Sequence, residues 1–154
     1  MNKSFLLLLF MVSSFMTNAQ QNYSWEEYGI SFTLADDFNE TVNSMEEFSA
    51  TGDGMQISII PFKDNSIDDS DITAYTLAVA ESLNLERIDA VNTIDVNGFK
   101  GGYAEGAQNG AKIFVMGLID PESETNFFVM IVFQDDDTNA VEEAINICKS
   151  IKKI

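Results

Sequence analysis

Two apolar runs, Ile113 to Ile119 and Phe127 to Phe133, stand almost without polar interruption on either side of Pro121-Glu122-Ser123-Glu124. They constrain the fold more than any other feature of the chain. Apolar runs of this length, joined by a short polar turn, read as a pair of strands. A strand with one wet face alternates apolar and polar residues, whereas a continuous run needs cover on both faces. The pair therefore predicts the middle of a sheet with a packed layer on each side.

The neighbouring strands follow from turn chemistry. Ile88 to Val96 and Phe99 to Glu105 flank Asn97-Gly98, residue types that accept positive φ and close a tight hairpin. Gln108-Asn109-Gly110 supplies the next turn. Upstream, Tyr28 to Leu34 sets Ile30, Phe32 and Leu34 against Gly29, Ser31 and Thr33, the period of a half-buried strand. Ala35-Asp36-Asp37 then turns the chain, and Phe38 re-enters the core. Glu47 to Ala50 and Met55 to Phe62 predict a second hairpin around Thr51-Gly52-Asp53-Gly54. Pro61 cannot donate to a ladder, so that strand ends there or lies at an edge.

Two segments carry helical spacing. Ile72, Tyr75, Val79 and Leu83 predict one apolar face, with Asp69 or Ser70 capping the first turn. From about Asn139 to Lys152, Val141, Ile145, Cys148 and Ile151 predict another, with Glu142 and Glu143 opening the helix and lysines closing it. The element order β-β-β-α-β-β-β-β-α predicts an α+β domain. Its mostly antiparallel sheet has about six or seven strands with helices packed on it, as a three-layer α/β/α sandwich.

This pattern resembles the PsbP-like superfamily, which includes the photosystem subunit of that name, the bacterial DcrB-like exported proteins and Ran-binding relatives. The resemblance rests on Tyr28-Gly29-Ile30-Ser31-Phe32 opening the domain and on the hairpin ending at Ile59-Ile60. Val96-Asn97-Gly98-Phe99 and Cys148-Lys149-Ser150-Ile151 complete it. It departs at Ala35-Asp36-Asp37-Phe38, which lacks the proline often found there. The resemblance implies an accessory or binding role and carries over no site residue.

The chain opens with Met1-Asn2-Lys3-Ser4, an apolar run from Phe5 to Met11, and Thr17-Asn18-Ala19. One positive charge, a short apolar core and small residues at the end read as a cleavable signal peptide over 1–19. The run is shorter than the roughly 20 residues a spanning helix needs, so no integral membrane segment is expected. Residues 20–154 then form a single acidic domain, exported to the periplasm or the exterior. Without Lys3 it carries seven basic against 25 acidic residues, a net charge of −18. That charge argues against nucleic acid and anionic lipid surfaces as partners.

The chain has no histidine, which removes histidine-activated nucleophiles and the commonest transition-metal ligand. Cys148 is the sole cysteine, so no internal disulfide forms, and it reads as a small core residue. Asp64 to Asp71 fails the EF-hand pattern: Asp69 stands where glycine is needed and Tyr75 where glutamate belongs. That loop and Asp135-Asp136-Asp137 read as solvated turns leading into helices. Gly98, Gly101, Gly102, Gly106 and Gly110 match neither a dinucleotide loop nor a phosphate loop. Trp25 and Tyr28 are expected to pack over the end of the sheet. No catalytic, cofactor-binding or metal-binding residue is assigned and no cofactor is expected. The expected function is a non-catalytic binding or accessory domain with a protein or small-molecule partner. The alternatives are a carboxylate-based enzyme acting on glycans and a calcium-responsive module built on Asp64 to Asp71.

Overall fold

The computed structural model describes residues 19–52, 54–63, 71–134 and 137–154. Along them run β1 (Gln20–Trp25), a 3-10 turn (Glu26–Tyr28), β2 (Ile30–Ala35), β3 (Asn39–Asn43), β4 (Phe48–Gly52) and β5 (Met55–Phe62). Then come α1 (Ile72–Ser82), β6 (Arg87–Val96), β7 (Phe99–Gln108), β8 (Ala111–Ile119), β9 (Asn126–Gln134), α2 (Thr138–Ser150) and β10 (Lys152–Lys153). Among the described residues the main sheet has seven strands, in the order β3-β4-β5-β9-β8-β7-β6, every pair antiparallel. A smaller sheet, β1-β2-β10, lies apart from it.

The continuous runs occupy β8 and β9, as their hydrophobicity requires. Along β8, Phe114, Met116 and Leu118 enter a core shared with Ala144 and Ile147 of α2 and Phe32 of β2. Ile113 and Val115 point the other way, towards Ala80 of α1. The sheet is therefore the middle of three layers, α1 on one face, α2 and the small sheet on the other. Glycine permits the close approach of α1: a Cβ at Gly117 would lie 2.5 Å from Thr76 Oγ1 and 2.9 Å from Ile72 Cδ1. The Asn97-Gly98 turn closes the β6–β7 hairpin with φ of +48° and +92°, as its residue types predict.

Both helices differ from expectation by a rotation. In α1 the buried residues are Ile72, Thr76 and Ala80, while Tyr75 is exposed and rests against Phe62 and Phe128. In α2 they are Ala140, Ala144 and Ile147, with Ile151 just beyond the helix. Val141 and Cys148 flank that stripe and Ile145 is 40% exposed. Alanine at two successive turns lets the helix backbone sit close to the sheet, so the small stripe faces inward and the bulkier one lies along the side.

Asp71, not Asp69 or Ser70, is the residue before α1, and its side chain makes no capping bond; the expected caps lie outside the described residues. So do residues 1–18, Asp64 to Ser70, and Asp135 and Asp136. Asp137 caps α2, accepting from the backbone N–H of Asn139 at 3.0 Å and Ala140 at 3.1 Å. Strands β1, β3 and β10 carry no continuous apolar pattern and were not expected. Trp25 is buried edge-on to Tyr28 and beside Phe48, which excludes it from an exposed recognition edge. Among the described residues no helix is long and apolar enough to cross a membrane.

Candidate functional site

Helix α2 packs over β9 and against β2, and the seven-stranded sheet is wider than that cover. On the α2 face, the strands on the β6 side of β9, namely β8, β7 and β6, therefore border a cleft of about 330 Å³. Ile94, Val96, Phe114 and Met116 form its floor; Ile145 and Cys148 form the α2 wall; Asp95, Tyr103, Glu105 and Lys149 edge it. The strand register places these groups together. Tyr103 lies opposite Met116 and Glu105 opposite Phe114, so all four project from the same face.

One end of the cleft is tied shut. Asn97, held at positive φ in the β6–β7 turn, donates from Nδ2 to the carbonyl oxygens of Lys149 at 2.9 Å and Ile151 at 2.7 Å. Those carbonyls belong to the end of α2, where no helical donor can reach them. Ser150 Oγ accepts from the backbone N–H of Thr33 at 2.9 Å, and β10 continues from the helix onto β2. Lys153 pairs with Asp120 and Glu122 and lies over the Phe99 ring, which fixes β10.

The other end carries ion pairs. Lys112 Nζ stands 3.1 Å from Asp89 and 3.2 Å from Glu105, and Asp89 is also bonded to Arg87. Hydrogen bonds from Arg87, then Lys112, hold the Asp89 carboxyl below its ordinary pKa. For Lys112, burial alone would lower the pKa, but bonding to Asp89 and Glu105 outweighs it and raises it. Asp95 pairs with Lys100. Both carboxylates on the cleft edge are thus committed to cations.

The donors are less committed. Tyr103 Oη accepts from Asn92 Nδ2 at 3.2 Å, leaving its own proton without an acceptor among the described residues. The ammonium of exposed Lys149 has no partner among them either. Burial pushes the Cys148 thiol up to about 12, so it stays protonated and acts as a neutral wall group. An apolar floor edged by a few donors is an arrangement that binds. Among the described residues no group of three or more acidic or thiol side chains could hold a metal ion.

A second, wider trough runs along the opposite flank of α2, between Glu142, Asn146 and Ser150 and the strand end at Thr33 to Asp36. Its walls are mostly polar, as a solvated flank requires. Sequence reasoning placed Cys148 in the core but missed the cleft. The signal was available in Ala140 and Ala144: if they face the sheet, Ile145 and Lys149 fall on the helix flank.

No family model and no curated protein matches this sequence. Solved structures do match in fold. The cyanobacterial PsbP protein, CyanoP, from Synechocystis sp. PCC 6803 is 11% identical with a TM-score of 0.64, over 95% of this chain and 99% of its own. The Ran-binding protein Mog1p of Saccharomyces cerevisiae is 9% identical with a TM-score of 0.60, over 88% of this chain and 95% of its own. LpqN of Mycobacterium tuberculosis, involved in cell envelope biogenesis, is 15% identical with a TM-score of 0.56, over 87% and 90%. This chain spans only 45% of a matching Bacteroides thetaiotaomicron protein. At such identities the likeness is one of fold, and the fold is PsbP-like.

Proposed function

We propose that residues 20–154 act as an accessory or binding domain, released from a signal peptide over 1–19 and working in the periplasm or outside the cell, with the cleft beside α2 as its binding site. The observation that carries this reading is the cleft itself: four apolar side chains of a rigid sheet form its floor, and its acidic neighbours are already neutralised by lysines. Rigid, largely apolar recesses of about 300 Å³ or more are where small ligands and protruding partner side chains lodge. The fold neighbours support the general role, since one is described as Ran-binding and another as serving envelope biogenesis. No observation favours the glycan-enzyme alternative, and of Asp64 to Asp71, the basis of the calcium alternative, all but Asp71 lie outside the described residues.

The test is binding of a neutral naphthylamine dye whose fluorescence rises in apolar surroundings. One dye per chain is expected. Ile145→Trp, at an exposed position on the cleft wall, should weaken it by about tenfold or more and leave the melting temperature nearly unchanged. No saturable binding, or binding indifferent to this substitution, would sink the proposal.

A further inference from the structure

The cleft has a direction, and its unsatisfied groups share one sign. Asn97 ties the β6–β7 turn to the end of α2, so an extended chain cannot pass straight through. A ligand with a free end fits better than an internal segment of a peptide. The volume of about 330 Å³ stands at the low end for ligand pockets, room for a single short chain rather than a two-tailed lipid.

The polar edge then selects the head group. Glu105 and Asp95 are engaged by Lys112 and Lys100. Left over are the Lys149 ammonium and the Tyr103 hydroxyl proton, both donors. Resting on the reading of the cleft as a binding site, we propose that its ligand is a single-chain aliphatic carboxylate, the chain on Ile94, Phe114 and Met116, the carboxylate at Lys149 and Tyr103.

Two effects oppose an anion here, and both are weaker than the contacts. The negative end of the α2 dipole points towards Lys149, but Asn97 already occupies its terminal carbonyls. The net charge of −18 acts at long range and is screened beyond about 8 Å at physiological ionic strength. A charge-assisted hydrogen bond acts at contact, where that screening does little. The expected repulsion from anionic membrane surfaces stands, since a membrane meets the whole field of the domain while a single carboxylate meets the cleft edge.

The experiment is competition against the neutral dye at physiological salt, with decanoate and decanol as paired competitors. Decanoate should displace the dye at about tenfold lower concentration than decanol. Lys149→Met should erase that preference and Tyr103→Phe should reduce it, with folding checked by thermal melting. Equal displacement by the two, or a preference that survives Lys149→Met, overturns the carboxylate assignment while the dye result keeps the cleft as a binding site. Failure of the dye to bind overturns both. Displacement only by apolar peptides, and by neither small competitor, assigns the cleft to a protein partner and overturns this inference.

Discussion

Asn97 does two jobs with one side chain. It accepts a positive φ in the hairpin turn and completes the end of α2 through two hydrogen bonds. The first job was legible in the sequence, because Asn-Gly between two strands specifies the turn. The second was not: Lys149 and Ile151 are more than fifty residues away, and no local pattern announces a bond of that kind. Asn97→Ala strands both carbonyls and should lower unfolding free energy by about 1–3 kcal/mol in chemical denaturation. Asn97→Gly keeps the turn and loses only the bonds, so comparing the two separates backbone strain from helix termination. Were the glycine variant as stable as the parent, the bonds would contribute nothing. Cys148 illustrates the converse: its reading as a packing residue held, although one side of it faces a cleft that its own apolar stripe did not foretell.

At the scale of elements, strand identity was written in the sequence and helix rotation was not. Continuous apolar runs and Gly-containing turns located β4 through β9, because burial on two faces and positive φ leave residue-level marks. The helices offered competing stripes. On α2, Val141-Ile145-Cys148 is more apolar than Ala140-Ala144-Ile147, yet the second faces the sheet, since alanine permits a closer approach. Strands β1, β3 and β10 left little mark because they lie largely exposed at sheet edges, each paired with one neighbouring strand and burying no regular stripe. The seat of α1 makes a testable counterpart. Gly117→Ala drives a Cβ against Thr76 and Ile72, with an expected loss of roughly 1–3 kcal/mol in urea unfolding. Pairing it with Thr76→Ala, which removes the hydroxyl that the new Cβ would meet, in a double-mutant cycle tests whether the close contact is the cause. A tolerated Gly117→Ala would mean that α1 moves freely over the sheet.

For the whole molecule the dominant fact is charge. A chain at −17, or −18 over residues 20–154, repels itself, so salt at neutral pH should raise its melting temperature, by a few degrees between low and physiological ionic strength. Acid should not imitate salt. The Asp120 carboxyl is held below its ordinary value of 3.8; burial alone would raise it, but bonding to Lys153, to the Glu122 backbone and to Ser123, with the Lys153 charge, together outweighs that. Asp89 is lowered likewise by Arg87 and Lys112. A carboxylate whose pKa is lowered by folding contributes stability above its unfolded value and loses it as pH falls through the folded one. Melting temperature should therefore drop below about pH 4 even as the net charge shrinks. A steady rise on acidification would show that self-repulsion outweighs these pairs. The tethers on α2 have a mechanical corollary. Asn97, Ser150 and β10 all grip its C-terminal end, while the cap at its N-terminal end is its own Asp137. The polar grip on the helix is thus one-sided: its last turn is held by hydrogen bonds to a turn and a strand, its first turns by the packing of Ala140 and Ala144 against the sheet.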